Sequence, residues 1–105
     1  MVTEFSIARR VVNRVLRIEV IGEVDMNSSD ELATATRTAI TTDDLAGIVV
    51  DLGKVSFMDS SGIRALLLQQ EHAREYGVGY RIENPSPQVR RVLEITGVLT
   101  LLSAS

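Results

Sequence analysis

The chain has 105 residues, 45% of them apolar and 24% charged, enough for one compact domain (residues 1–105) with a modest core and too few for two. It contains no cysteine and a single histidine, His72, which excludes disulfides, thiol catalysis, cysteine-based zinc sites and any multi-histidine metal centre. The net charge of −3 argues against direct nucleic-acid binding, and with no run near the ~20 apolar residues of a membrane span and no signal-peptide layout, a cytoplasmic protein is expected.

Residues 4–12 and 14–21 read as two strands. In the second, Leu16, Ile18 and Val20 alternate with Arg17 and Glu19, the period-two pattern of a sheet. Asn13 between them predicts a tight turn and an antiparallel pair, and Gly22 is expected to stop the strand. Arg9, Arg10, Arg14 and Arg17 fall on this hairpin and read as a solvated surface, with a phosphate- or acid-binding patch as the alternative. Ser28-Ser29-Asp30-Glu31 matches a capping box, Ser28 as the cap and Glu31 reaching back, so a first helix is expected to run to about Thr41.

Residues 46–52 form a short β-branched run without clean alternation, the pattern of a parallel strand buried on both faces. Ile63, Leu66, Leu67, Gln70 and Ala73 mark a second helix ending near Tyr76-Gly77, and Val78 to Glu83 reads as another strand. Ser86-Pro87 starts a third helix, with a capping serine and a proline at the first position, and Gly97 closes it. Val98 to Leu102 is expected to be a last short strand.

The order β-β-α-β-α-β-α-β predicts an α/β fold, a mixed sheet with an antiparallel N-terminal edge strand and helices in right-handed β-α crossovers. The loops at Gly22–Asn27, Val55–Ser60 and Asn84–Ser86 all follow strands and precede helices, so they must gather at one edge of the sheet, where α/β proteins place their sites. At that edge stands Phe57-Met58-Asp59-Ser60-Ser61-Gly62-Ile63, with two hydroxyls, a carboxylate and a glycine at a helix start. The plainer reading is that one serine caps the helix, worth ~1 kcal/mol. Two adjacent hydroxyls exceed what a cap requires. Gly62 would let another backbone approach, and a phosphate there would add roughly −1.5 to −2 charge beside Asp59 and Asp25 while being tolerated by the helix end.

The segment from Asp51 through Asp59-Ser60-Ser61-Gly62-Ile63 closely resembles the signature of STAS domains, in particular the anti-sigma factor antagonists. Gly22-Glu23-Val24-Asp25 looks like that family's second landmark, and Asn84-Pro85-Ser86-Pro87 through Thr96-Gly97 is similar to its third, so the resemblance spans residues 4–102. It implies a switch protein rather than an enzyme, with no cofactor. Unphosphorylated antagonists bind an anti-sigma factor that is also a serine kinase. Phosphorylation of the first hydroxyl after the aspartate, here Ser60, releases them, and a metal-dependent serine phosphatase resets them. By position, Asp25, Asn27, Asp59, Ser61, Gly62 and Ile63 would form the partner surface. Arg64 departs from the glycine common two places after Gly62; it reads as a solvent-facing arginine, or as a cation that pairs with a phosphate or an acidic partner. The chain ends at Ser105, short of the final helix that many members carry.

Rival readings find less support in the residues. A phosphoaspartate receiver needs an acidic pair after its first strand and a lysine near its end, and neither is present. Ser60 lacks the G-x-S-x-G turn of hydrolases. His72 lies about three helical turns beyond it and reads as a surface or rim residue, and Asp43-Asp44 looks like a polar turn. The alternative within the fold is a STAS accessory subunit of a lipid-transport ATPase or of a stress-sensing assembly, which reuses the same edge.

Overall fold

The computed structural model describes residues 4–103. β1 (Ser6–Val12) and β2 (Val15–Val24) form an antiparallel hairpin. Its turn residues Asn13 and Arg14 both have positive φ, 50° and 65°, the twist of a two-residue hairpin turn. The chain continues through α1 (Met26–Thr42), β3 (Gly47–Met58), α2 (Ser60–Glu75), β4 (Gly79–Glu83), α3 (Pro87–Ile95) and α4 (Leu99–Ser103). The sheet has the order β1-β2-β3-β4, with β2, β3 and β4 parallel, as two successive β-α-β crossovers require. The predicted mixed sheet with an antiparallel edge strand is thus present.

One face of the sheet holds the core. Leu16, Ile18 and Val20 of β2, Ile48, Val50 and Leu52 of β3, and Tyr80 and Ile82 of β4 are buried with Leu32, Ala39 and Ile40 of α1 and Ile63, Leu66 and Ala73 of α2. Each fully buried aliphatic side chain there contributes about 1.5–3 kcal/mol. Within the core, the Gln69 carboxamide oxygen lies 2.9 Å from the Thr36 hydroxyl and 3.0 Å from the Tyr80 hydroxyl, joining α1, α2 and β4. Burial pushes the Tyr80 phenol upward, so it remains a neutral donor. The other face carries Arg17, Glu19, Asp51, Arg81 and Glu83, all half-buried, and none of them belongs to the core cluster. Val49 on that face is 6% exposed yet also lies outside the cluster. The burial expected on both sides of β3 therefore holds for residues 48–50, but only one side is the shared core.

Three expectations about elements change. Gly22 does not stop β2: at φ 100° it sits at a register irregularity, after which the strand continues to Val24 and pairs with an equally extended β3. The pairs Gly22↔Val55 and Val24↔Met58 carry both strands to the functional edge, six residues beyond the predicted end of β3. The segment Val98–Leu102 is helical rather than a strand. Gly97, at φ 76°, reverses the chain, the Leu102 amide donates to the Val98 carbonyl at 3.0 Å, and Leu102 is fully buried against the core.

Candidate functional site

The three loops meet as predicted, because each follows a strand of the parallel set at its C-terminal end. Val24 and Met58 are paired neighbours, and the Asp59 amide donates to the Val24 carbonyl at 3.3 Å, joining the first two loops. The third is held from below. The Ser86 amide donates to the Leu52 carbonyl at 3.2 Å, and its hydroxyl donates to the Val55 carbonyl at 2.6 Å. Ser86 does occupy the cap position of α3, but its side chain makes no capping bond; it pins the helix to β3 instead.

Aspartates cap both helices that start at this edge. For α1 the cap is Asp25, not Ser28: one Asp25 carboxylate oxygen accepts the amides of Asn27 and Ser28, both at 3.0 Å, and the Ser28 hydroxyl accepts the Asp25 amide at 2.9 Å. The capping box exists, displaced by one turn, with Ser28 in the role expected of Glu31. The Ser28 amide and then its hydroxyl, donating to the Asp25 carboxyl, hold it below the ordinary aspartate value. For α2 the cap is Asp59, whose carboxylate accepts the amides of Ser61 at 2.9 Å and Gly62 at 3.2 Å. Neither serine is used as a cap. Asp59→Ala is accordingly expected to cost about 1 kcal/mol of stability in a urea titration, whereas Ser61→Ala leaves the midpoint unchanged. Equal losses would return the capping role to the serine.

Ser60 is therefore a free group. It is the first residue of α2, solvent-exposed, and its hydroxyl makes no hydrogen bond among the described residues. Asn27 and Arg64 are also exposed, and Asp25, Asp59 and Ser61 are partly so. Arg64 forms no ion pair among the described residues and stands one turn along α2 from Ser60. Gly62 and Ile63 are buried. A Cβ on Gly62 would lie 2.6 Å from Met58 Cγ and 2.9 Å from Val24 Cγ1, so this glycine seats α2 on the ends of β2 and β3. Met26, 70% exposed, and Phe57, 40% exposed, flank the caps, and neither is among the residues that the sequence assigns to the partner surface. A groove of about 640 Å³ between α1 and α2 begins at Met26 and Ser61. Among the described residues, no group of three or more acidic or histidine side chains is placed to hold a metal. His72 is a half-buried rim residue whose ring packs against Tyr76, centroids 5.1 Å apart.

A four-stranded mixed sheet whose parallel strands end under an aspartate-capped Ser-Ser-Gly turn defines a STAS domain. The STAS domain family model matches residues 6–103, and the chain belongs to that family. It is 33% identical to a STAS-domain containing protein from Pseudomonas aeruginosa over 86% of this chain and 87% of that one. It is 28% identical to an anti-sigma F factor antagonist from Paenibacillus polymyxa, over 84% of this chain and 75% of the relative. Among solved structures it is similar to the anti-sigma factor antagonist SpoIIAA in its unphosphorylated form, with TM-score 0.81 and 27% identity over 94% of this chain and 86% of that one. The phosphorylated form of the Bacillus SpoIIAA superposes with TM-score 0.73 at 26% identity, over 96% and 89%.

Proposed function

We propose that this chain is an anti-sigma factor antagonist that acts as a phosphorylation-controlled partner switch. Unphosphorylated, it binds an anti-sigma factor that is also a serine kinase; phosphate on Ser60 releases it, and a metal-dependent serine phosphatase restores it. The observation that carries this reading is the exposed Ser60 hydroxyl, left free because Asp59 does the capping. A phosphate there adds roughly −1.5 to −2 charge at a helix N-terminus, which accommodates it, beside two carboxylates already fixed at the same edge. The fold persists while the potential of the contact surface changes sharply. Asn27, Ser61 and Arg64 supply exposed polar contacts, and Asp25, Asp59, Gly62 and Ile63 hold the surface in shape. No helix among the described residues is long and apolar enough to cross a membrane, in keeping with the cytoplasmic setting that such a switch requires.

Peptide mass spectrometry of the protein purified from its own host tests the reading, with phosphate expected on Ser60. Ser60→Ala should keep the fold, capture the anti-sigma factor in a pull-down and accept no phosphate. Ser60→Asp should lose a large part of that binding. Phosphate on Ser61 alone would move the switch by one residue. Absence of phosphate under every growth condition would overturn it in favour of an accessory-subunit role in a transport ATPase or stress-sensing assembly.

A further inference from the structure

The sheet face that carries no helix is ordered by charge in a way that the strand register makes explicit. Arg10 of β1 lies directly opposite Arg17 of β2, Arg17 opposite Val49 of β3, and Val49 opposite Arg81 of β4. The next row along the strands reads Ala8, Glu19, Asp51, Glu83. A basic row, charged on β1, β2 and β4, and an acidic row, charged on β2, β3 and β4, therefore run side by side. Outside the basic row lies a small apolar row, Val12, Val15, Gly47 and Gly79, whose two glycines leave a trough; outside the acidic row stands Ile21.

Like charges directly opposite on neighbouring strands destabilise a sheet. A face suited only to the isolated chain would alternate signs across the strands, as this one does along them. Ion pairs within the chain relieve part of the cost. Arg17 and Arg81 both reach Glu83, and Lys54 stands 3.5 Å from Glu19. Each of these groups still exposes about a third or more of its side chain, and Arg10 has no acidic partner among the described residues.

We infer that this face binds a second copy of the chain, sheet against sheet. A two-fold axis lying between the stacked sheets and running across the strands, midway between the two rows, places Arg17 of each copy over Glu19 of the other. The same axis places Arg81 over Glu83 and Ile21 over Val15, beside the glycine trough. The charges are self-complementary on β2 and β4, as a two-fold interface requires, while on β1 Arg10 falls over Ala8 and on β3 Val49 falls over Asp51. The rows span roughly 15 Å by 20 Å at ordinary strand spacings, well below the ~800 Å² per partner of a stable complex. The association is thus weak and reversible, and it weakens with salt. Because the axis reverses the strand direction, the two Ser60 loops lie at opposite ends of the pair, and each remains open to its own partner. The inference does not depend on what binds at Ser60.

Sedimentation of the purified chain tests it, over rising concentration in low and in high salt. Dimer formation in low salt that disappears in high salt is expected. The double variant Arg17→Glu, Arg81→Glu and the double variant Glu19→Arg, Glu83→Arg should each be monomeric where the unaltered chain associates, and an equimolar mixture of the two should dimerise at lower concentration than the unaltered chain. A monomer throughout the unaltered series, or a mixture no more associated than its components, overturns the proposal. Dilution of the unaltered isotope-labelled chain, followed by amide NMR shifts, decides the matter even if a variant fails to fold. Shifts must concentrate on Arg17, Glu19, Arg81 and Glu83; shifts confined to the helices or to the β1 edge refute the face.

Discussion

Gly62→Ala is expected to lower stability by about 1–3 kcal/mol, the usual cost of overpacking, and to lower the melting temperature by roughly 5–15 °C at this domain size. The added methyl meets Met58 Cγ at 2.6 Å, Val24 Cγ1 at 2.9 Å and the Val24 carbonyl at 3.2 Å. The two side chains can give a little, but the carbonyl belongs to a paired strand and already accepts the Asp59 amide. Relief must come from lifting the first turn of α2, which carries Ser60. Partner binding should therefore weaken by more than the lost stability alone would produce. Gly79→Ala is the control: its Cβ would meet nothing closer than the Ala46 carbonyl, at 3.7 Å. Thermal melts of the two variants settle the matter, and equal melting temperatures would mean that α2 has room to shift.

The second large effect is expected deep under the site. Gln69→Leu removes the acceptor of the Tyr80 hydroxyl while keeping the approximate volume, and orphans that hydroxyl at about 1–3 kcal/mol. Because it also removes the buried Gln69 Nε2, which has no partner among the described residues, the net loss should fall at the lower end of that range. Thr36 is spared, because its hydroxyl also lies 3.0 Å from the Leu32 carbonyl and can donate there. Adding Tyr80→Phe to Gln69→Leu should recover most of the loss, since no orphaned hydroxyl then remains. Tyr80→Phe alone removes a donor and leaves Gln69 with the Thr36 contact. Urea unfolding of the cycle reports the coupling; additive losses would show that Gln69 acts through volume alone.

The strands and the meeting of the three loops were legible because period-two alternation from Leu16 to Val20 and the β-α-β order leave few topologies open. The caps were less legible. Four serines stand at the two helix starts, and a serine is as good a cap as an aspartate, so composition alone does not choose between Asp25 and Ser28 or between Asp59 and Ser60. What decides is where the strand ends. Since Val24 and Met58 still pair in the sheet, the next residue, aspartate in both cases, is the first that can turn. That pairing depends on the positive-φ kink at Gly22, a residue that by itself reads as a stop. Val98 to Leu102 reads as a strand because a five-residue run with four apolar side chains has no resolvable period. Its helical state follows from the Gly97 reversal and from the contact of Leu102 with the core, both tertiary facts. The proposal of a partner surface at Asp25, Asn27, Ser60 and Arg64 rests on position in the fold together with family resemblance.

The two borders of the sheet are treated differently. β4 is flanked by α4, which packs against it, whereas β1 runs seven residues along the outside with all but Ile7 exposed. An open strand of that length offers unpaired amides and carbonyls to any other extended chain and is a standing invitation to polymerise. Here its middle is Arg9-Arg10, one cation on each face, so that two such borders brought together antiparallel would crowd four guanidinium groups. Replacing this pair with apolar residues would remove that repulsion and leave the border open to strand-on-strand pairing between chains.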